Sequence, residues 1–427
     1  MSDLGDVVGG GTPASKEPAY WGGNINWISP ADLTGYNHKT ITKGAKSLTE
    51  LGLKNCSAKV MPAGSVHFSS RAPIGYVVIS SLPMSTNQGF KSLVPRDGVL
   101  NEYVYYYLKG AKQLAEKRAS GTTFLELSGK AFGQLPVPLP PFDDQKRIVK
   151  KIETLLSELD KGIESLKTAR EQLKVYRQAV LKHAFEGKLT AQWRAENKDK
   201  LESPEQLLAR IQQKEPVRDC LSGNTAWSSC SVQEVLASGP TNGRSVKDRP
   251  NGFPVLRLTA LKSGKIDLAE RKSGDWDRSQ AEPYLVKEGD FLLSRGNGSK
   301  HLVGRGGLVP KNTDEVAFPD TIVRLRVDST RMLSEFFSLL WDSRFIRDQI
   351  EQSARTTAGI YKINQGHIKS FRVPVPSLSE QKVIVNSLEE KLTLTDRQEN
   401  EIGAALLKAE LLRQSILSLA FSGRLTS

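Results

Sequence analysis

The sequence predicts an α+β chain with an internal pseudo-twofold duplication. Two globular domains, mostly β with some helices, are separated by two long helices that pair as an antiparallel coiled coil. Three observations predict this. Residues 137–190 and 373–426 align without a gap at an offset of 236 and are identical at 19 of 54 positions, against about one match in sixteen by chance. Each of these segments carries a sustained heptad pattern. The segments before them hold short Val/Ile-rich runs broken by Gly, Pro and Asn, as expected of strands.

The first copy begins VPLPPFDDQKRIV and ends LKHAFEGKLT; the second begins VPVPSLSEQKVIV and ends LSLAFSGRLT. Identities include Pro138/Pro374, Gln145/Gln381, Lys146/Lys382, Phe185/Phe421 and Gly187/Gly423. The Pro-rich lead-in cannot be helical, so each helix starts after it. Asp143 and Asp144, and Ser379 with Glu380, supply caps and negative charge at that start. Gly187 and Gly423 stand where a C-terminal stop belongs.

In copy one, apolar residues fall at Val149, Ile152, Leu156, Leu159, Ile163, Leu166, Leu173 and Val180, a seam interrupted by Arg170 and Arg177. In copy two the same register holds Val385, Leu388, Leu392, Thr395, Ile402, Leu406, Ala409 and Ile416, interrupted by Glu399 and Arg413. A helix of roughly 38 residues spans about 57 Å and cannot bury such a seam alone. Mutual pairing within the chain is favoured over packing of each helix on its neighbouring domain, because sustained heptads usually find another helix.

The domains are placed at 1–136 and 224–372, the helical segments at 137–190 and 373–427, and a polar, charged linker at 191–223. Predicted strands include NINWIS, YVVISS, FPVLRLT, DFLLSR and TIVRLRV. Both domains share an order of features: a basic-polar turn after a strand (SSRAPIG at 69–75, SRGNGSKH at 294–301), an aromatic helix (EYVYYYL, EFFSLLW), then Thr122–Thr123 or Thr356–Thr357 before the lead-in.

A chain of 427 residues exceeds one ordinary core. It has no run of 18 apolar residues and no signal-like start. Cys56, Cys220 and Cys230 have neither disulfide-framework nor metal-ligand spacing, so a cytoplasmic protein with free thiols is expected. Net charge is +13, which favours an anionic partner, nucleic acid first. The excess lies on the globular segments: 14 Lys+Arg against 9 Asp+Glu in 1–136, and 23 against 17 in 225–372.

Motifs of catalysis are missing. Gly9-Gly10-Gly11-Thr12-Pro13-Ala14 fits G-x-G-x-x-A, but Pro13 and Pro18 spoil the helix that a dinucleotide site needs. No P-loop occurs. Leu139-Pro140-Pro141-Phe142 lacks the polar first residue of an amino-methyltransferase motif. Asp144-Gln145-Lys146 resembles the tail of a nuclease motif, but it opens a helix. His38, His67, His183, His301 and His367 form no metal pair. No catalytic or metal-binding residue is assigned.

DNA reading needs Arg, Asn and Gln for base edges and Lys, Arg, Ser and Thr for phosphates. In the first domain the candidates are Lys43, Lys46, Lys54, Ser69, Ser70, Arg71, Asn87, Gln88, Thr122, Thr123 and Lys130. In the second they are Arg244, Lys247 and Arg249; Arg295, Asn297, Ser299, Lys300, His301 and Arg305; and Arg355, Thr356, Thr357, Tyr361 and Lys362. Two readers on a rigid spacer predict a bipartite target, its half-sites about one helical turn, 34 Å, apart.

GGGTP near the start, YWGGNINWISPADL at 20–33, the paired lead-ins and the paired AFEGKLT and AFSGRLT ends resemble type I restriction-modification specificity subunits (HsdS) over essentially the whole chain. The resemblance implies a prokaryotic, non-catalytic subunit with two target recognition domains. Each would read half of an interrupted double-stranded site, and two helical regions would act as a ruler and dock two methyltransferase subunits. S-adenosylmethionine, ATP and Mg would be bound by the methyltransferase and restriction partners, and no cofactor or membrane by this chain. One rival is a self-contained DNA methyltransferase or nuclease, which would methylate or cut DNA alone. The other is a coiled-coil scaffold without DNA contact, which would show no salt-dependent DNA affinity.

Overall fold

A computed structural model describes residues 1–121, 125–211, 227–262, 264–311, 314–357 and 359–424. They form two compact units, Met1–Thr168 with Ile402–Ser427, and Ala169–Glu401.

The first unit is built on a five-stranded sheet in the order Gly5–Gly9, Phe90–Pro95, Val66–Ser70, Ile74–Ser80, Thr40–Ile41. Neighbours are antiparallel except the last pair, which is parallel. The aromatic helix Asn101–Gly110 packs Val104, Tyr105, Tyr107 and Leu108 on the sheet residues Val66, Phe68, Val77 and Leu93. The second unit repeats this topology. Leu236–Asn242, Ile322–Val327, Phe291–Ser294, Gly306–Leu308 and Gly264–Ile266 occur in the same chain order and the same sheet order, and the last pair is again parallel. Its aromatic helix, Ser334–Trp341, places Phe337 and Trp341 against Phe291. The faint order of features in the sequence is therefore one fold used twice.

Each long helix has 44 residues, Phe142–Phe185 and Leu378–Phe421, six more than the heptad count suggests, because the apolar end positions pack on the domains. Gly187 and Gly423 have φ of +71° and +77°, the left-handed stop that an L side chain resists. In the first unit the start of the first helix (Ile148, Val149, Ile152) packs on the end of the second (Leu417, Ala420) and on Tyr103. In the second unit the end of the first helix (Leu181, Ala184, Phe185) shares a core with the start of the second (Ile384, Val385, Leu388) and with Phe336. In each unit the helix segments are thus antiparallel.

The expected seam is the least exposed line on both helices. Ile152, Leu388, Leu392 and Ile416 are buried; Leu156, Leu159, Ile163, Leu166, Leu173, Val180, Ile402 and Leu406 are half-buried. Its polar interruptions have partners. Arg170 meets Glu399 at 3.5 Å and Arg177 meets Asp396 at 2.7 Å in the second unit, and Arg413 meets Asp160 in the first. Arg177/Arg413 and Asp160/Asp396 are identical pairs of the repeat, so one ion pair is made twice.

The stretch read as a linker contains two short α-helices, Ala191–Glu196 and Pro204–Ile211. Leu207 and Ile211 are buried in the second unit's core, so its short amphipathic piece docks there instead of running free. No helix among the described residues is long and apolar enough to cross a membrane. Cys230 is buried, which pushes its thiol up to about 12, and it stays protonated; Cys220 lies outside the described residues.

His67 sits in the first core. Its Nδ1 is 2.9 Å from Ser92 Oγ, and its Nε2 has no partner. Burial lowers it to about 3, whereas the unfolded side chain titrates near 6.5. The folded form therefore binds fewer protons between these values, and stability falls as pH drops below about 6.5. His67→Gln should remove a loss on the order of 1 kcal/mol between pH 7 and 5.5, above the carboxylate range. Denaturant melts of both proteins at the two pH values check this, and parallel losses would refute it.

Candidate nucleic-acid interface

In both units the basic turn leaves the same central strand, Val66–Ser70 or Phe291–Ser294, and meets the segment that precedes the helix lead-in. In the first unit Ser70 N donates to Gly89 O, and Ser70 O accepts from Leu127 N at 2.9 Å. In the second, Arg295 N donates to Thr321 O, and Arg295 O accepts from Ile363 N at 3.1 Å. These bonds make Ser70 and Arg295 counterparts.

The glycine-rich start belongs to the same constellation. A Cβ on Gly10 would strike the carbonyl oxygens of Thr86 and Asn87, and one on Gly243 those of Phe318 and Pro319. The GGGTP loop thus needs glycine for close backbone approach, not for a dinucleotide.

The second unit displays the fuller site. Gly296–Asn297, Ile360–Lys362 and Arg355–Thr357 form a three-stranded sheet that brings the turn and the Thr-Thr hairpin together. Arg295, Lys300, Arg355, Thr356 and Lys362 are exposed. Among the described residues no carboxylate lies within 4.0 Å of those four cations. Such unpaired charge suits a phosphate, since binding then breaks no existing pair. Asn297 Oδ1 accepts from Ser299 N at 2.9 Å, which shapes the turn. Tyr361 is half-buried against the core.

The turn is held from below. Buried Arg347 donates to the carbonyls of His301 (3.1 Å) and Val303 (2.8 Å), and Trp341 Nε1 to Gly304 O at 2.8 Å. Arg347 Nε and Nη1 have no partner, and burial lowers its guanidinium to about 10. Sequence reasoning missed Arg347: an Arg in an amphipathic helix looks like surface, and only its alignment with the apolar Ile346 and Ile350 hinted at burial.

Several candidates change role. Ser69 and Ser70 are buried; their hydroxyls donate to Pro73 O and Gly89 O, so they shape the turn and offer no group to a phosphate. Asn87 holds its own loop, accepting from Gly89 N at 2.7 Å and donating to Thr12 Oγ1 at 2.8 Å; Gln88 accepts from the same Thr12. Arg71 pairs with Glu126 at 3.3 Å. Arg305 pairs with Asp342 at 3.1 Å and Arg249 with Asp275 at 2.9 Å, so both begin with a carboxylate.

Arg244 and Lys247 are exposed on the turn after Gly243. His301 is exposed, with its carbonyl facing Arg347. Lys130 stands on the short helix Gly129–Gly133, just after Leu127, which is bonded to Ser70. Lys43, Lys46 and Lys54 are exposed; Lys46 lies 5.1 Å from the Trp21 ring centroid on the three-stranded sheet whose strand Ser85–Thr86 meets the glycine-rich loop, and Lys54 ends the helix Glu50–Lys54. Thr122 and Thr123 lie outside the described residues.

A family model for the type I restriction modification DNA specificity domain matches residues 1–172 and 226–406. The specificity subunit of the type I restriction enzyme MjaIX from Methanocaldococcus jannaschii is 40% identical over 188 residues, 43% of this chain and 42% of that one. The EcoKI specificity subunit of Escherichia coli is 26% identical over 94% of this chain and 84% of its own length. Among solved structures, a chain from a study of type I R-M complex assembly has a TM-score of 0.70 at 15% identity, covering 99% of this chain and 96% of that one. The HsdS subunit from Thermoanaerobacter tengcongensis has 0.56 at 15%, covering 99% and 92%. These two carry the fold; the matched domains carry the family. The chain belongs to the type I restriction-modification DNA specificity family.

Proposed function

We propose that this chain is the DNA-reading subunit of a type I restriction-modification complex and carries no catalytic site itself. Each unit reads one half of a bipartite double-stranded target, and the paired helices set the gap between the halves. Two methyltransferase subunits dock on the helices, restriction subunits join the full complex, and S-adenosylmethionine, ATP and Mg are held by those partners. The observation that carries the reading is an arrangement built twice: one basic turn at the end of the same central strand, bonded to the segment that precedes the helix lead-in, once per unit.

Two docked subunits are supported by the helices. Val175 is 70% exposed and Leu411 73%, and beside them Tyr176 and Leu412 are also exposed. These are equivalent positions of the repeat. Each unit thus exposes an apolar pair at the same place on its helices, as docking of two copies of one partner would use.

The test is a genome-wide map of N6-methyladenine in the source organism with and without the gene. Loss of one interrupted motif is expected. An unchanged map in a strain whose methyltransferase subunit is active would overturn the reading.

A further inference from the structure

We propose that Gln145 and Gln381 lock each recognition unit onto its helical stem at one setting and so hold the gap between the DNA half-sites to a single length. This rests on the bipartite reading above. Both glutamines are the fourth residue of a long helix. Both are fully buried, at 1% and 0% exposure.

Gln145 Oε1 accepts from Leu100 N at 2.9 Å, and its Nε2 donates to Gly98 O and Pro140 O, each at 3.0 Å. Gln381 Oε1 accepts from Leu333 N at 2.8 Å, and its Nε2 donates to Pro376 O at 3.0 Å. Leu100 and Leu333 are the N-caps of the two aromatic helices, and neither has a side-chain cap of its own. The stem thus supplies, from outside, the bond to the N-cap N–H that a capping box draws from within its helix.

The rest of the joint is apolar: Phe421 against Tyr103 and Tyr107, Phe185 against Phe336. Apolar burial is non-directional and tolerates a small slide or turn. A buried amide does not, because its bonds weaken steeply when misaligned and an unmade bond leaves a desolvated polar group. Leucine would fill the space without that constraint. The same amide at the same position of both copies is therefore a positioning device.

The experiment places Q145L, Q381L, Q145E and Q381E alleles in the source strain and maps methylated adenines. Each Leu variant should keep the half-sites but also methylate sites with the gap one base pair longer or shorter. The ratio of off-gap to normal sites should rise about tenfold, the scale of one buried hydrogen bond. The Glu variants keep the acceptor for Leu100 or Leu333 but turn a second oxygen onto the carbonyls that took the donated bonds, a buried repulsion, so they should relax the gap at least as far as Leu. Variants confined to the normal gap overturn the inference while the reading stands. So does an equal loss at every gap with the chain still present, which would mark the residues as merely structural. If the unmodified strain shows no interrupted motif, it is the reading that fails.

Discussion

Duplicating residues 164–170 in the first long helix and 395–401 in the second is expected to lengthen the DNA gap by about three base pairs and leave both half-sites unchanged. Seven residues continue the seam in register and add about 10 Å to a helix, against about 3.4 Å per base pair along DNA. The two duplicated stretches contain Arg170 and Glu399, which face each other at 3.5 Å, so the added heptads would meet. Nothing in the basic turns or the segments bonded to them changes, and therefore the bases read should not change. Methylome mapping of the altered strain measures both quantities at once. An unaltered gap would remove the helices from any ruler role, and altered half-site bases would mean that the helices help to read sequence.

Glu380→Ala should cost about 3–5 kcal/mol, the scale of breaking a buried ion pair and a large share of a typical 5–15 kcal/mol stability. Its carboxylate is 1% exposed and accepts from Trp227 Nε1 at 3.0 Å, Thr190 Oγ1 and Arg194 Nη1. Arg194 Nη2 also donates to Gly187 O at 2.6 Å. The cluster therefore ties the stop of the first long helix to the start of the second. Alanine leaves the guanidinium without its counter-charge in a nearly closed site. Calorimetry should show a fall on the order of 10 °C in a transition of the second unit, at about 2–4 °C per kcal/mol. The double replacement Glu380→Met with Arg194→Met should cost much less, because no charge is then stranded. Equal costs for the single and double variants would show that the pair's charge is not what matters.

Much of the architecture was legible before any coordinates. Identity at a fixed offset, a heptad seam and a glycine stop are one-dimensional signals, and they located both long helices, their ends and their pairing. Period-two Val/Ile runs located the central strands, and EYVYYYL and EFFSLLW the helices behind them. The duplicated Asp160/Asp396 and Arg177/Arg413 even contain the antiparallel register, since only an antiparallel pair lets both ion pairs form.

Other features depend on which side chains meet across long separations. Gln145 finds Leu100, 45 residues away, and Arg305 finds Asp342, 37 away. Ser70 reads as a phosphate ligand in sequence, yet its hydroxyl closes its own turn. A serine in a basic loop has the same local signature whether it faces water or a backbone carbonyl. By itself the sequence determined the repeat and the helices and favoured an anionic partner, because periodicity and charge are properties of the chain. Only the tertiary structure decided which side chains close the joint between each domain and its helices, and which cations remain unpaired, because burial and counter-charges are set by packing.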